Sequence, residues 1–124
     1  MREEFEELLN LARNNRKHSP WIKKQNSKEY AKELLSEMDE LMQAIENNDN
    51  KNIQEELGDV FWDTLMLAII AEEEGKVDAR EVLKGIAEKI KRRKPHIIDG
   101  KEITPEEEKR VWYEAKAKEK HNKL

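Results

Sequence analysis

The sequence predicts an all-α fold, a four-helix-bundle-like core followed by an extra C-terminal helix. Three observations carry that expectation. Apolar residues recur at i, i+3, i+4 and i+7 through most of the 124 residues, the spacing that gathers side chains on one helix face. The segments between these runs are rich in Asn, Asp, Ser, Gly and Pro, which end or cap helices. No stretch holds the apolar–polar alternation of a strand.

Phe5, Leu8, Leu9 and Ala12 form the first stripe, giving an amphipathic helix up to about Arg13. RNNRKHSPW breaks it, with Ser19-Pro20 marking a turn. Ser27 is the expected N-cap of a second helix, its hydroxyl placed to accept an orphan backbone N–H. Leu34, Leu35, Met38, Leu41, Met42 and Ile45 lie on one stripe of that helix, which ends in the turn-forming run Asn47, Asn48, Asp49 and Asn50. A third helix starts near Lys51 and runs to about Glu74, where Gly75 closes it. Its second half, VFWDTLMLAII, is apolar on every side and is expected to be buried all round. A chain this small has little interior for such a helix, so a partner helix from a second copy is expected, in a homodimer or a dimer of dimers.

Asp78 caps a fourth helix with Val82, Leu83, Ile86, Ala87 and Ile90 inward, and Pro95 stops it. The loop HIIDGKEIT leads to Thr104-Pro105, a cap followed by a first-turn proline. The last helix carries Val111, Trp112 and Ala115 and then frays into KAKEKHNKL. The length fits one domain over residues 1–124, with an N-terminal helix at 1–17 and a frayed tail at 117–124 at its edges.

Composition narrows the function. Charged residues make up 42% of the chain and the formal net charge is −4, so general attraction to nucleic acid or to membranes is not expected. There is no cysteine, which excludes disulfides and thiolate metal sites. The charged start MREEFEELL does not resemble a signal peptide, and no apolar run is long enough to span a bilayer, so the expected location is cytoplasmic. His18, His96 and His121 lack metal-ligand spacing, and no P-loop or dinucleotide fingerprint is present.

Carboxylates form the strongest constellation. Glu33, Glu37 and Glu40 share a face of the second helix, and Glu56, Asp59 and Asp63 share a face of the third. A short turn near Asp49 or Asn50 makes the two helices antiparallel, which sets Glu40 level with Asp59 and Glu37 about one turn further from the loop. Bare carboxylates at like heights repel, and a hard divalent cation with oxygen preference relieves that repulsion; Mg²⁺ is the expected ion, with Mn²⁺ as a substitute. With 28 acidic residues in the chain, each Glu-x-x-Glu spacing alone is ordinary surface decoration. Asp63 differs, because it stands within an apolar run where a lone carboxylate is costly.

Against this acidic background, Lys89, Lys91, Arg92, Arg93 and Lys94 cluster in the last turn of the fourth helix, where cations suit the helix dipole. Lys89 and Arg93 share a face and suit a polyphosphate clamp. Trp21 in a loop, and Trp112 with Lys116 one turn on, are candidates for stacking on a base, whereas Trp62 reads as packing.

These motifs resemble, in order and spacing, single-domain MazG-type nucleoside triphosphate pyrophosphohydrolases, an all-α family related to the dimeric dUTPases. The resemblance runs from about His18 to Lys116. The family signature E-E-x-x-E, spacer, E-x-x-D is matched by Ser36-Glu37-Met38-Asp39-Glu40 and Glu56-Leu57-Gly58-Asp59. SPWIKKQ matches an entry motif at Pro20, Trp21 and Gln25, KIKRRKPHI matches a basic motif, and Trp112 with Lys116 matches a C-terminal W-x-x-x-K. The resemblance implies Glu37, Glu40, Glu56 and Asp59 as catalytic Mg²⁺ ligands, and Lys89, Arg93, Trp112, Lys116 and Trp21 as substrate contacts. It implies hydrolysis of a nucleoside triphosphate to monophosphate and pyrophosphate, a nucleotide-pool housekeeping activity, by a self-associating protein. Glu37, Glu40 and Glu55 are the candidates for accepting the water's proton. The sequence departs from the pattern at Ser36 in place of the first glutamate, and at Ile22, Asn26, Ser27 and Lys94. Ser36 keeps a rival in play, a non-catalytic helical nucleotide-binding or protein-interaction module.

Overall fold

The computed structural model describes residues 1–122 and is all-α, as the sequence predicts. Among the described residues there are seven helices: α1 Arg2–His18, α2 Pro20–Lys23, α3 Ser27–Glu46, α4 Asn50–Glu73, α5 Ala79–Arg93, α6 His96–Asp99 and α7 Pro105–Asn122. They fall into two compact units, one spanning Met1–Ala79 and a second beginning at Arg80.

In the first unit, α3 and α4 form an antiparallel hairpin, and α1 packs along α4. The hairpin turn is tight. Asn48 adopts a left-handed φ of 52°, and the Asp49 side chain caps α4 by accepting from the Asn52 N–H at 3.2 Å. Gly75, with φ of 76°, closes α4 in the left-handed conformation that glycine adopts without a Cβ clash.

Two expectations about this unit need correction. The first helix does not end near Arg13 but continues through RNNRKH to His18. That segment contains neither Gly nor Pro, and the break waits for Ser19, held extended as the residue before Pro20. Pro20 then opens the short α2. Ser27 is not a cap; Asn26 is, its side chain accepting from the Glu29 N–H at 2.8 Å, because Asn is at least as good a cap and stands one residue earlier.

The core of the first unit joins Ala12, Ile22, Tyr30, Met66, Ile69 and Ile70, with Leu9, Trp62, Leu65 and Leu67 packed against it. Arg16 ties this corner together. Its guanidinium donates to the Ile22 carbonyl, to the Gln25 carbonyl at 3.1 Å, and to Glu73 at 2.8 Å. The α4 helix is not buried all round within this chain: Met66 and Ile70 are fully buried, but Phe61 is 54% exposed and Leu57 is exposed too.

In the second unit, α5 ends at Arg93, just before Pro95. The expected loop after it contains a single helical turn, α6, closed by Gly100 at φ 65°. Thr104 caps α7, accepting from the Glu107 N–H at 3.1 Å. The expected fraying beyond Ala115 does not occur, since α7 continues to Asn122; residues 123–124 of the expected tail lie outside the described residues. Ala, Lys and Glu are strong helix formers, and Glu119 is anchored by two arginines of α5. Along α5, Ile90 is half-buried, while Val82, Leu83 and Ile86 are exposed rather than inward.

Candidate active site

The antiparallel register of α3 and α4 decides which carboxylates meet. Tyr30 lies opposite Asp63 and Glu37 opposite Glu56, so the hairpin is centred between Glu46 and Asn47. That centre lies closer to α3 than the turn near Asp49 or Asn50 suggested. As a result Glu37, Glu56 and Asp59 each offer an oxygen within 4.8 Å of the others. Glu40 sits on the loop side, its carboxyl within hydrogen-bonding reach of both Glu37 and Glu56.

Electrostatics show how crowded this cluster is. Burial and the neighbouring Glu40 carboxyl, with Asp59 and Asp63 adding less, push the Glu37 carboxyl up to about 7. Glu56 is raised by the same kinds of cause, desolvation first and then Glu40. Two carboxyls at hydrogen-bonding distance tolerate each other only if a proton or a cation lies between them. In addition, the buried Oε2 atoms of Glu37 and Glu56 have no hydrogen-bond partner among the described residues. Carboxylate oxygens without nitrogen or sulfur donors, two of them orphaned, form a donor set that fits a hard divalent cation.

Asp63 is 8% exposed and accepts a hydrogen bond from the Tyr30 hydroxyl at 2.8 Å. The carboxylate that looked costly in an apolar run is thus satisfied by a tyrosine. Burial and the carboxylate push the Tyr30 hydroxyl pKa above its ordinary range, so it remains a donor. Glu33, one turn before Glu37, acts electrostatically on Tyr30 and Asp63. Trp21 lies on α2, largely exposed, with its ring centroid 6.4 Å from that of Tyr30. Ser36 is exposed on α3, and Glu55 is exposed on α4.

The basic and aromatic candidates Lys89, Arg93, Trp112 and Lys116 belong to the second unit. Lys89 and Arg93 line one groove between α5 and α7. Trp112 lies beneath Arg93, with the guanidinium carbon 4.8 Å from the ring centroid, a cation–π contact. Lys116 is exposed on α7. Glu119, which the sequence did not single out, binds Arg93 at 2.8 Å and Arg92 at 2.9 Å. Tyr30 was missed as well; the hairpin register, once known, places it opposite Asp63.

Comparison with known proteins gives a consistent picture. A family model described as the MazG nucleotide pyrophosphohydrolase domain matches residues 25–98. The chain is 38% identical over 105 residues to the uncharacterised protein YabN of Bacillus subtilis, covering 82% of this chain and 21% of that protein. It is 33% identical over 123 residues to the nucleoside triphosphate pyrophosphohydrolase/pyrophosphatase MazG of Thermotoga maritima, covering 96% of this chain and 46% of the relative. The chain therefore spans less than half the length of these curated relatives. A crystal structure of a MazG-related protein from Thermotoga maritima superimposes with a TM-score of 0.87 at 32% identity, covering 90% of this chain and 98% of that one. Among the described residues, no helix is long and apolar enough to cross a membrane.

Proposed function

The chain belongs to the MazG nucleotide pyrophosphohydrolase family, and from that membership we propose that it hydrolyses a nucleoside triphosphate to the monophosphate and pyrophosphate, with Mg²⁺, or Mn²⁺ in its place, held by Glu37, Glu40, Glu56 and Asp59. The observation that carries this reading is the cluster of Glu37, Glu56 and Asp59 oxygens within 4.8 Å, with the orphaned Oε2 atoms of Glu37 and Glu56 beside them. A bound divalent cation supplies charge neutralisation on the phosphate oxygens and the leaving pyrophosphate.

The chain's own groups do the rest. Water attacks the α-phosphorus in line and the anhydride bond to the β-phosphoryl oxygen breaks, so pyrophosphate leaves with the bonding pair. Of the three carboxylates that are candidates for taking the water's proton, Glu37, Glu40 and Glu55, only Glu55, exposed on α4, is not assigned to the cation. The Tyr30–Asp63 bond fixes α3 against α4 next to the cluster and holds the carboxylates in register. Lys89 and Arg93 serve as phosphate contacts, and Trp21, Trp112 and Lys116 as contacts to the rest of the nucleotide.

We assign the protein a housekeeping role on the nucleotide pool, and self-association through the exposed apolar side chains of the first unit. Met38, Met42 and Ile45 share a face of α3, and Leu57 and Phe61 share a face of α4, all exposed in the single chain. Incubation with a panel of canonical and modified triphosphates tests the activity. Monophosphate and pyrophosphate are expected with Mg²⁺, and neither with chelator or in Glu56→Gln and Asp59→Asn proteins of unchanged helicity. Undiminished turnover in both variants contradicts the metal site. Nucleotide binding without turnover supports the non-catalytic module instead.

A further inference from the structure

The groove between α5 and α7 has a volume of about 720 Å³, a size suited to a small ligand. Lys89, Arg92, Arg93 and Lys118 line it, together with the acids Glu114 and Glu119. These two acids differ in what they touch. Glu114 is exposed and its nearest ion partner is Arg110, one turn away on α7 at 3.8 Å. Glu119 is drawn into the cationic cluster from both sides. One of its oxygens accepts from Arg93 Nη2 at 2.8 Å and Nε at 3.2 Å, and the other accepts from Arg92 Nε at 2.9 Å.

Two guanidinium groups converging on two oxygens of a single anionic group is the arrangement in which arginines bind a phosphate. Here the anion is supplied by the chain itself. The Arg93 side chain is only 13% exposed and is held over Trp112 at 4.8 Å, so its fork stays aimed at this position whichever anion fills it. Glu119, by contrast, stands in the last turn of α7 and reaches the arginines through a side chain with several rotatable bonds.

We infer that Glu119 is an internal stand-in for a phosphate group, competing with the polyphosphate of the substrate for Arg92 and Arg93 and so setting substrate affinity. This rests on the triphosphate reading of the protein. The competitor is permanent at working pH, since Arg93 and then Arg92 hold the Glu119 carboxyl down to about 2. Substrate has to displace it. A carboxylate competes with a phosphate-bearing ligand because both take the same donors, and the more highly charged phosphate wins when it is abundant. Affinity is therefore deliberately weakened, which suits turnover, because a site that binds ground state and transition state equally tightly gains no rate.

Inorganic tripolyphosphate, titrated calorimetrically into the full chain in chelator, reads this competition without any turnover. Glu119→Gln is expected to tighten binding about tenfold, ~1.4 kcal/mol. Glu114→Gln, which removes the same charge from the groove wall without breaking a bond to Arg92 or Arg93, is expected to tighten it by less than about twofold. The gain from Glu119→Gln should vanish in an Arg93→Ala background. Equal or weaker binding by Glu119→Gln, or the same gain from Glu114→Gln, overturns the inference and makes Glu119 a structural clamp or a general charge effect. If Gln loosens α7 by circular dichroism, Glu119→Ala, carrying the strongest helix former, decides by the same criteria. With any triphosphate that is turned over, Glu119→Gln should lower KM about tenfold and leave kcat within about twofold. If no triphosphate is turned over, the proposed activity fails, and the tripolyphosphate comparison still decides the role of Glu119.

Discussion

Raising the pH should destabilise the metal-free protein, and Glu37 shows why. Its carboxyl sits at about 7 instead of the ordinary 4.5, raised by burial first and by Glu40 next. A group whose folded-state pKa lies above its unfolded value contributes its full stabilisation below the unfolded pKa and loses it as pH rises through the folded one. At ~1.4 kcal/mol per pH unit this interval corresponds to ~3 kcal/mol. Water reaching a partly exposed carboxyl reduces that to ~1–2 kcal/mol. In chelator, the thermal midpoint should fall by roughly 4–8 °C between about pH 5 and about pH 8. Glu56, shifted in the same direction by desolvation and Glu40, adds to the slope. Glu37→Gln should flatten it and, at about pH 8 in chelator, exceed the parent by ~1 kcal/mol, since the repulsion is gone. Excess Mg²⁺ should restore the parent at high pH by ~2.7 kcal/mol at about a hundred times its dissociation constant, and restore the variant far less. A metal-free parent equally stable at both pH values, or a variant less stable than the parent at about pH 8, refutes the reasoning.

Two other perturbations probe the scaffold around the cluster. Tyr30→Phe removes the hydroxyl that satisfies buried Asp63, and should cost ~1.5–3 kcal/mol in urea unfolding; a loss below about 0.5 kcal/mol would show that the carboxylate finds another partner. Phe61→Glu places a charge amid the exposed apolar side chains, next to Phe5 at a ring separation of 6.1 Å. Sedimentation should then give the monomer mass for the variant and a dimer or larger species for the parent, and a monomeric parent would end the self-association proposal.

How much of this was legible in the sequence depends on how local the cause is. Ser19-Pro20, Asp49, Gly75, Pro95 and Thr104-Pro105 act on their own backbone, so they mark helix ends within a residue or two in the structure as well. The cap of α3 was less legible, because the side chains of Asn26 and Ser27 both suit the role and only the backbone path separates them. The acidic stripes were visible from helical periodicity, but their register was not. Whether Glu37 or Glu40 faces α4 depends on how α3 seats against it, and the three-residue shift of the hairpin centre, from Asp49–Asn50 to Glu46–Asn47, changes the answer. Likewise Asp63 announced itself as an anomaly in an apolar run, while Tyr30 as its partner required the register. Glu119 carried no signal, since its arginines lie far back in the chain and its own segment reads as a solvated helix end.

Turnover in ¹⁸O-labelled water tests the central claim most directly, because the labelled oxygen ends on whichever phosphorus the water attacked. The account predicts Mg²⁺-dependent turnover in which the label appears in the nucleoside monophosphate and the pyrophosphate stays unlabelled, with both products lost in Glu56→Gln. Label in pyrophosphate, release of orthophosphate and diphosphate instead, or full activity in Glu56→Gln contradicts it.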